Sequence, residues 1–365
     1  MPRRLTRFVL CLAALGAGAG PTLAQANPVI LQWFETEWDD IERRTPDFFL
    51  AGYNAVWLPP PTVASYQSAG YDPFDRFDLG QPPITATASN RARTTYGTEQ
   101  SFQAMVDELH RANSLVFVDG IFNHNSGRTT SDAFLADGGW PGFYIPRESP
   151  PRDKLPTDDW GDFHAGNASG FLQSENPGAP NYDLTRGDLV ALIDIAPESV
   201  NFFIRHPVTP GDPDNIPAGT IRNLPDPDNA RFYPDLSLSP TIVNNPGTAR
   251  NPGATQFTRY PFNTATPLAG DPVTDNATGM LMRWAQWMFE VQGIDGFRLD
   301  AHKHMDNWFW DTFYDSAVHR VRRAPSGEMV TPFSFGENVT GNFDILNNQI
   351  RKDSFANRDA LDLQG

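Results

Sequence analysis

The chain has 365 residues with one cysteine, 12% aromatic side chains including nine Trp, and a net charge of −16 at pH 7. That acidity argues against nucleic acid and anionic membranes as partners, and a single cysteine excludes an intrachain disulfide framework. A neutral substrate and divalent cations suit the charge, and the aromatic count offers faces on which sugar rings can stack, although most of these rings belong to a core.

Residues 1–26 carry Arg3, Arg4 and Arg7, an apolar run from Phe8 to about Ala19, and the small-x-small site Ala24-Gln25-Ala26. This is the pattern of a secretory signal peptide and is too short for a membrane span. Cleavage after about Ala26 would remove the three arginines, taking the net −16 to −19, and with them the lone Cys11. The expected location is extracellular or periplasmic, in an oxidising setting without disulfides. No later apolar run approaches a membrane span.

From residue 27 to about 126, short apolar runs alternate with helical patterns. Strands are expected at Val29–Phe34, Ala55–Leu58 and Leu115–Ile121, and helices at Thr45–Ala51 and Glu99–Ala112, the latter with Phe102, Met105, Val106 and Leu109 on one stripe. Such alternation predicts βα units on a parallel sheet. Between about 127 and 274 the pattern breaks into Pro-, Gly-, Asn- and Asp-rich stretches such as Pro207–Pro217 and Asn223–Asn229. A structureless loop of that length is improbable in a compact domain, so an irregular inserted domain is expected, with short elements at Leu189–Ile195 and Ser199–Arg205. Alternation resumes over 275–365: helix Asp275–Val291, strand Gly296–Leu299, helix Asn307–Val321 and a strand ending at Gly336.

Polar residues gather where the third, fourth and fifth expected strands stop: Asp119, Asn123 and His124; Asp300, Lys303 and His304; and Glu337. Arg298 lies two residues before Asp300, so strand alternation places both on one face. In an α/β barrel such strand ends converge on one mouth. Two carboxylates from neighbouring strand ends are what glycosidic cleavage requires, one at the anomeric carbon and one protonating the leaving oxygen. The same pair could ligate a metal, so spacing alone leaves the chemistry open.

Three segments carry a resemblance: Val118-Asp119-Gly120-Ile121-Phe122-Asn123-His124, Gly296-Phe297-Arg298-Leu299-Asp300-Ala301-His302-Lys303-His304, and Phe335-Gly336-Glu337-Asn338. In this order they resemble the first three signature regions of the α-amylase family, retaining glycoside hydrolases built on a (β/α)8 barrel. Gly70 to Gly80 and Arg93 to Thr98 resemble the family's stretch after the second strand, and Tyr233-Pro234-Asp235-Leu236 its short motif in the inserted domain. The resemblance implies a TIM-type (β/α)8 barrel, of which about five strands are read here, with an irregular domain inserted after strand three. The implied substrate is an α-1,4-glucan such as starch or a maltooligosaccharide, and a monomer is expected.

Carried over by position, the resemblance implies that Asp300 is the nucleophile and Glu337 the general acid and then base. Arg298 would hold Asp300 ionised, since a nearby positive charge lowers a carboxylate's pKa. It implies that Tyr71, by stacking, and His124 contact the sugar on the non-reducing side, and that Lys303 and His304 contact it on the leaving side. The chain has 25 Arg against three Lys, which gives Lys303 extra weight as a compact ammonium. Asn123, Asp235 and the carbonyl of His304 would bind a structural Ca²⁺, an ion that prefers oxygen ligands. Asp119 would be structural.

The family's fourth region, an Asn-His-Asp, has no match after Glu337, where Asp359 is the nearest carboxylate; Asp359 reads as part of a following helix and is not assigned. The expectation is therefore a truncated copy of a longer enzyme, with little activity of its own. An α-glucosidase or transglycosylase, or an inactive α-glucan-binding relative, stays open beside an endo-acting α-amylase.

Overall fold

The computed structural model describes residues 28–64, 68–80, 94–127, 140–145, 159–164, 174, 177–178, 182–189, 192–205 and 232–361. The expected signal peptide and the stretches Pro207–Pro217 and Asn223–Asn229 lie outside these residues.

Its centre is a seven-stranded sheet. In chain order the strands are β1 (Ile30–Gln32), β2 (Ala55–Leu58), β3 (Leu115–Gly120), β4 (Gly296–Leu299), β5 (Phe333–Gly336), β6 (Arg351–Lys352) and β7 (Asn357–Ala360). They lie side by side as β1-β2-β3-β4-β5-β7-β6; all neighbours are parallel except β6, which runs antiparallel to β7. The protein is therefore α/β with a largely parallel sheet, as the alternation predicts. Strands β2, β4 and β5 sit where the apolar runs place them, whereas β1 is shorter than Val29–Phe34 and β3 stops one residue before Ile121.

The helices differ more. Helix α1 spans Trp38–Leu50 rather than Thr45–Ala51 and contains Pro46. Burial of Trp38, Ile41, Thr45 and Phe48 on one face holds it together across the proline. Helix α2 (Glu99–Arg111) begins with a capping box between Thr98 and Ser101 and buries the expected Phe102, Met105, Val106 and Leu109. Helix α3 (Ala277–Glu290) is capped by Asn276, whose side chain accepts from the Gly279 amide, and is buried along almost its whole length. The expected helix Asn307–Val321 is present over 307–318, with its middle, Phe309–Tyr314, wound as a π-helix before the short α4 (Asp315–Val318).

Strand β7 corrects the reading of 357–360 as helix. Its inward side chain, Arg358, is fully buried and reaches Asp311 at 2.6 Å and Asp315 at 2.7 Å. Asp359 faces the other way and pairs with Lys352 at 2.5 Å. Where five strands are expected, the sheet has six parallel strands and one antiparallel strand among the described residues.

In the inserted region the short elements Leu192–Asp194 and Phe203–Ile204 fall inside the two expected segments. A longer hairpin, Thr241–Gly247 paired with Pro252–Arg259, was not legible. It is anchored to the segment after β4: Asn245 Nδ2 donates to the Asp311 carbonyl at 2.7 Å, and Arg250 pairs with Asp311 at 3.0 Å. Among the described residues, no helix is long and apolar enough to cross a membrane.

Candidate active site

Register brings the site together. Arg298 on β4 pairs with Asp119 on β3 and with Phe335 on β5, and Leu299 pairs with Gly336. In-register residues of parallel strands project to the same face, so Asp119 and Arg298 rise together and Asp300 follows two residues on. Glu337 comes next in the chain after β5, with its amide donating to the Leu299 carbonyl at 2.8 Å.

Arg298 holds three carboxylates. Its Nη1 donates to Asp119 Oδ1 at 2.7 Å and to Asp300 Oδ1 at 2.6 Å, while Nη2 lies 3.1 Å from Glu337 Oε2. The guanidinium also sits 5.4 Å from the centre of the Trp57 ring. Burial pushes the Asp300 carboxyl up, to about 7, against the lowering pull of Arg298, and Asp119 and Glu337 push it further. Burial likewise raises Asp119 to about 6, with Arg298 and Tyr71 opposing. Arg298 therefore favours the ionised Asp300 as expected, but here desolvation is the larger effect.

The backbone at Asp300 is unusual. The next residue, Ala301, sits in the left-handed region at φ +49°, ψ +34°, and its amide points to Glu337 Oε2 at 3.3 Å. A non-glycine residue held there costs about 1–3 kcal/mol and persists only where its surroundings impose it. Gly336 is needed for a different reason: a Cβ there would lie 1.8 Å from His302 Nδ1. His302 is buried, packs edge-on against Trp310 at 4.5 Å, and has Arg358 Nη1 3.3 Å from its Nε2.

The other expected residues divide. The Tyr71 hydroxyl donates to Asp119 Oδ2 at 2.7 Å, joining Trp57 Nε1 at 3.1 Å on the same oxygen. Burial and Asp119 raise the Tyr71 hydroxyl far above its usual range, so it stays protonated as a donor. Its hydroxyl is thus spent on Asp119, and only the half-buried ring is left for a ligand. His124 is buried, with Nε2 2.9 Å from the Tyr71 carbonyl and 4.0 Å from Asp300 Oδ2. Burial lowers its pKa to about 4, so it is a neutral donor at the edge of Asp300. Lys303 Nζ donates to the Val339 carbonyl at 2.7 Å, just past Glu337. His304 Nδ1 lies 3.0 Å from the Leu184 carbonyl of the inserted region, and burial lowers its pKa to about 4.

The calcium set fits only in part. Asn123 Oδ1 is buried without a hydrogen-bond partner, as an atom meant for a cation would be. Asp235 does not join it: its Oδ1 accepts from the amide and hydroxyl of Ser237 and its Oδ2 from Asn263 Nδ2, and no contact among the described residues links it to Asn123 or His304. The acidic residue that the fold brings beside this strand end is Asp194, bridged to His124, and its carboxylate is engaged by His164 at 2.5 Å. Among the described residues, no group of three or more His, Cys, Asp or Glu gathers to hold a metal.

Trp57 was not singled out from the sequence. A Trp at the end of an apolar strand, just before Pro59-Pro60-Pro61, is the signal that could have found it.

No family model matches the chain. The cytoplasmic alpha-amylase of Escherichia coli is 25% identical over 303 residues, covering 78% of this chain and 49% of that protein. The alpha-amylase of Bacillus licheniformis is 27% identical over 141 residues, 36% of this chain and 27% of that protein. These alignments agree with the resemblance read from the segments around Asp119, Arg298 and Glu337. The chain is similar to α-amylases. It spans about half the length of the Escherichia coli relative and less of the Bacillus one. Among solved structures, wild-type alpha-amylase I from Eisenia fetida superposes with a TM-score of 0.47 at 16% identity, over 91% of this chain and 48% of that one. That likeness is too low to carry argument. In this α-amylase-like chain the two carboxylates Asp300 and Glu337 share one arginine, Arg298.

Proposed function

We propose that the site cleaves α-1,4-glucosidic bonds of starch or related glucans with retention of configuration. The observation that carries this reading is the shared guanidinium of Arg298, which holds Asp300 and Glu337 on two different nitrogens at the ends of adjacent strands. In this reading Asp300, nearly buried, attacks the anomeric carbon once ionised and forms a glycosyl-enzyme. Glu337, whose side chain is 32% exposed, protonates the leaving oxygen and then takes a proton from the incoming water. The neutral His124 and the ring of Tyr71 would contact the sugar being transferred, and Lys303 and His304 the sugar that leaves. The unpartnered Oδ1 of Asn123 supports a structural Ca²⁺, whose positive charge would draw oxygen ligands of the inserted region onto this strand end. No catalytic step runs through the ion. Secretion is supported by the pattern of residues 1–26.

The product profile on maltoheptaose tests the reading. Short oligosaccharides of several lengths, first formed as α-anomers, are expected. Glucose as the sole product would refute endo action, and a first-formed β-anomer would refute retention.

A further inference from the structure

A cleft lies beside the segments that lead into β4 and β5. About 730 Å³ in volume, it is enclosed by the hairpin Thr241–Gly247/Pro252–Arg259, the end of α3 and the segment 319–329 that leads into β5. These residues precede β4 and β5, whereas Asp300 and Glu337 follow them, so the cleft is separate from the catalytic mouth. Its volume falls within the roughly 300–1,000 Å³ typical of small-molecule sites.

The charge of the lining stands out in a chain of net −16. Arg259, Arg320 and Arg323 face the cleft with a single carboxylate, Glu290, and with His319. Arg259 is buried, and its Nη1 donates to the carbonyls of Ala317 and His319, each at 2.8 Å; among the described residues it makes no ion pair. A buried cation hydrogen-bonded only to carbonyls, with Glu290 as its one nearby counter-charge, is under-compensated and favours a further anion nearby. Glu290 balances only one of the three guanidinium groups, and its oxygens already accept from the Phe262 amide and from Gln286. His319 lies flat on Phe355 at 4.2 Å, and burial lowers its pKa, so it adds no charge at neutral pH. Arg320 sits at φ +48°, a left-handed conformation uncommon for a side-chain-bearing residue, with its amide fixed to Thr331 Oγ1 at 3.2 Å. Ile242, Val243, Phe289 and Val321 supply an apolar wall.

We propose that this cleft binds a small organic anion, a phosphate or carboxylate carried on a body about the size of one sugar ring. Guanidinium groups match both oxyanions in a forked geometry, and the apolar wall takes the body of the ligand.

Calorimetric titration of the whole chain with glucose 6-phosphate, gluconate and plain glucose, at constant ionic strength, tests this. Saturable binding of at least one anion, with none for glucose, is expected; the tighter anion shows whether phosphate or carboxylate is the recognised group. The double variant Arg320→Ala/Arg323→Ala, at two exposed positions, should weaken binding at least about ten-fold, whereas Arg43→Ala, on the exposed face of α1, should leave it unchanged. Glu290→Gln, whose one amide oxygen can still accept from the Phe262 amide while the charge is removed, should tighten it. The proposal is overturned by folded chain that binds neither anion, by equal binding of glucose, or by binding indifferent to the double variant. Because binding is read directly, the result does not depend on whether Asp300 and Glu337 hydrolyse glucan.

Discussion

Arg298 Nη1 lies 2.6 Å from Asp300 Oδ1, and the same nitrogen also reaches Asp119. One cation therefore answers for a cluster of buried acids, and Asp300, the carboxylate proposed to attack, is held by the residue two positions before it. Replacing Arg298 with Lys keeps a charge but loses the fork that serves several oxygens at once. We expect Arg298→Lys to lower kcat/KM by at least about 100-fold. Arg298→Ala should in addition cost about 3–5 kcal/mol of stability, because it leaves buried carboxylates unpaired. Starch hydrolysis and urea unfolding of the two variants check both expectations.

Asp300→Asn should separate activity from stability. It removes one of three acids crowded on Arg298, while Asp119 stays paired at 2.7 Å. Hydrolysis should fall by at least about 1,000-fold, with the melting temperature unchanged or raised, since active-site charges are commonly held at a cost to stability. A large drop in melting temperature would assign Asp300 a structural role instead.

Gly336→Ala should destabilise the chain by about 1–3 kcal/mol or more, because the new methyl would meet His302. Combining it with His302→Ala should recover part of that loss. A double-mutant cycle with no coupling would show that the two residues do not press on each other.

His164 predicts a pH dependence. Burial would lower its pKa, but hydrogen bonds to Asp194 at 2.5 Å and Glu198 at 3.0 Å outweigh this and raise it to about 10. Burial pushes Asp194 up to about 7, while Glu198 is drawn down to about 2. The imidazole keeps its proton through neutral pH because it answers two carboxylates at once. A raised folded pKa means that its contribution is full below the ordinary value of 6.5 and is lost as pH rises through 10. Unfolding free energy should therefore fall by on the order of 2 kcal/mol between about pH 7 and about pH 10.5, and His164→Gln should flatten that slope.

Much of the site was legible because its residues sit at the ends of apolar runs. Ala55–Leu58, Gly296–Leu299 and Phe333–Gly336 are buried strands bounded by Pro or Gly, and strand alternation alone placed Arg298 with Asp300. Strand β7 was not legible because Asn357-Arg358-Asp359-Ala360 has no apolar pattern; ion pairs from Arg358 to Asp311 and Asp315 make its burial tolerable. The hairpin Thr241–Arg259 escaped because most of its side chains are exposed, so no periodicity marks it. Tyr71 read as a stacking ring, while its hydroxyl partner, Asp119, lies 48 residues away and only the fold joins them.

The central claim is that Asp300 attacks and Glu337 supplies and removes the proton. In Glu337→Gln, a maltosyl fluoride needs no acid to leave, yet the variant lacks the base for the second step. Peptide mass spectrometry should then find one maltosyl group accumulated on the peptide containing Asp300, and none in the Asp300→Asn/Glu337→Gln double variant. An adduct on another residue, or turnover to a β-anomer without any adduct, would contradict it.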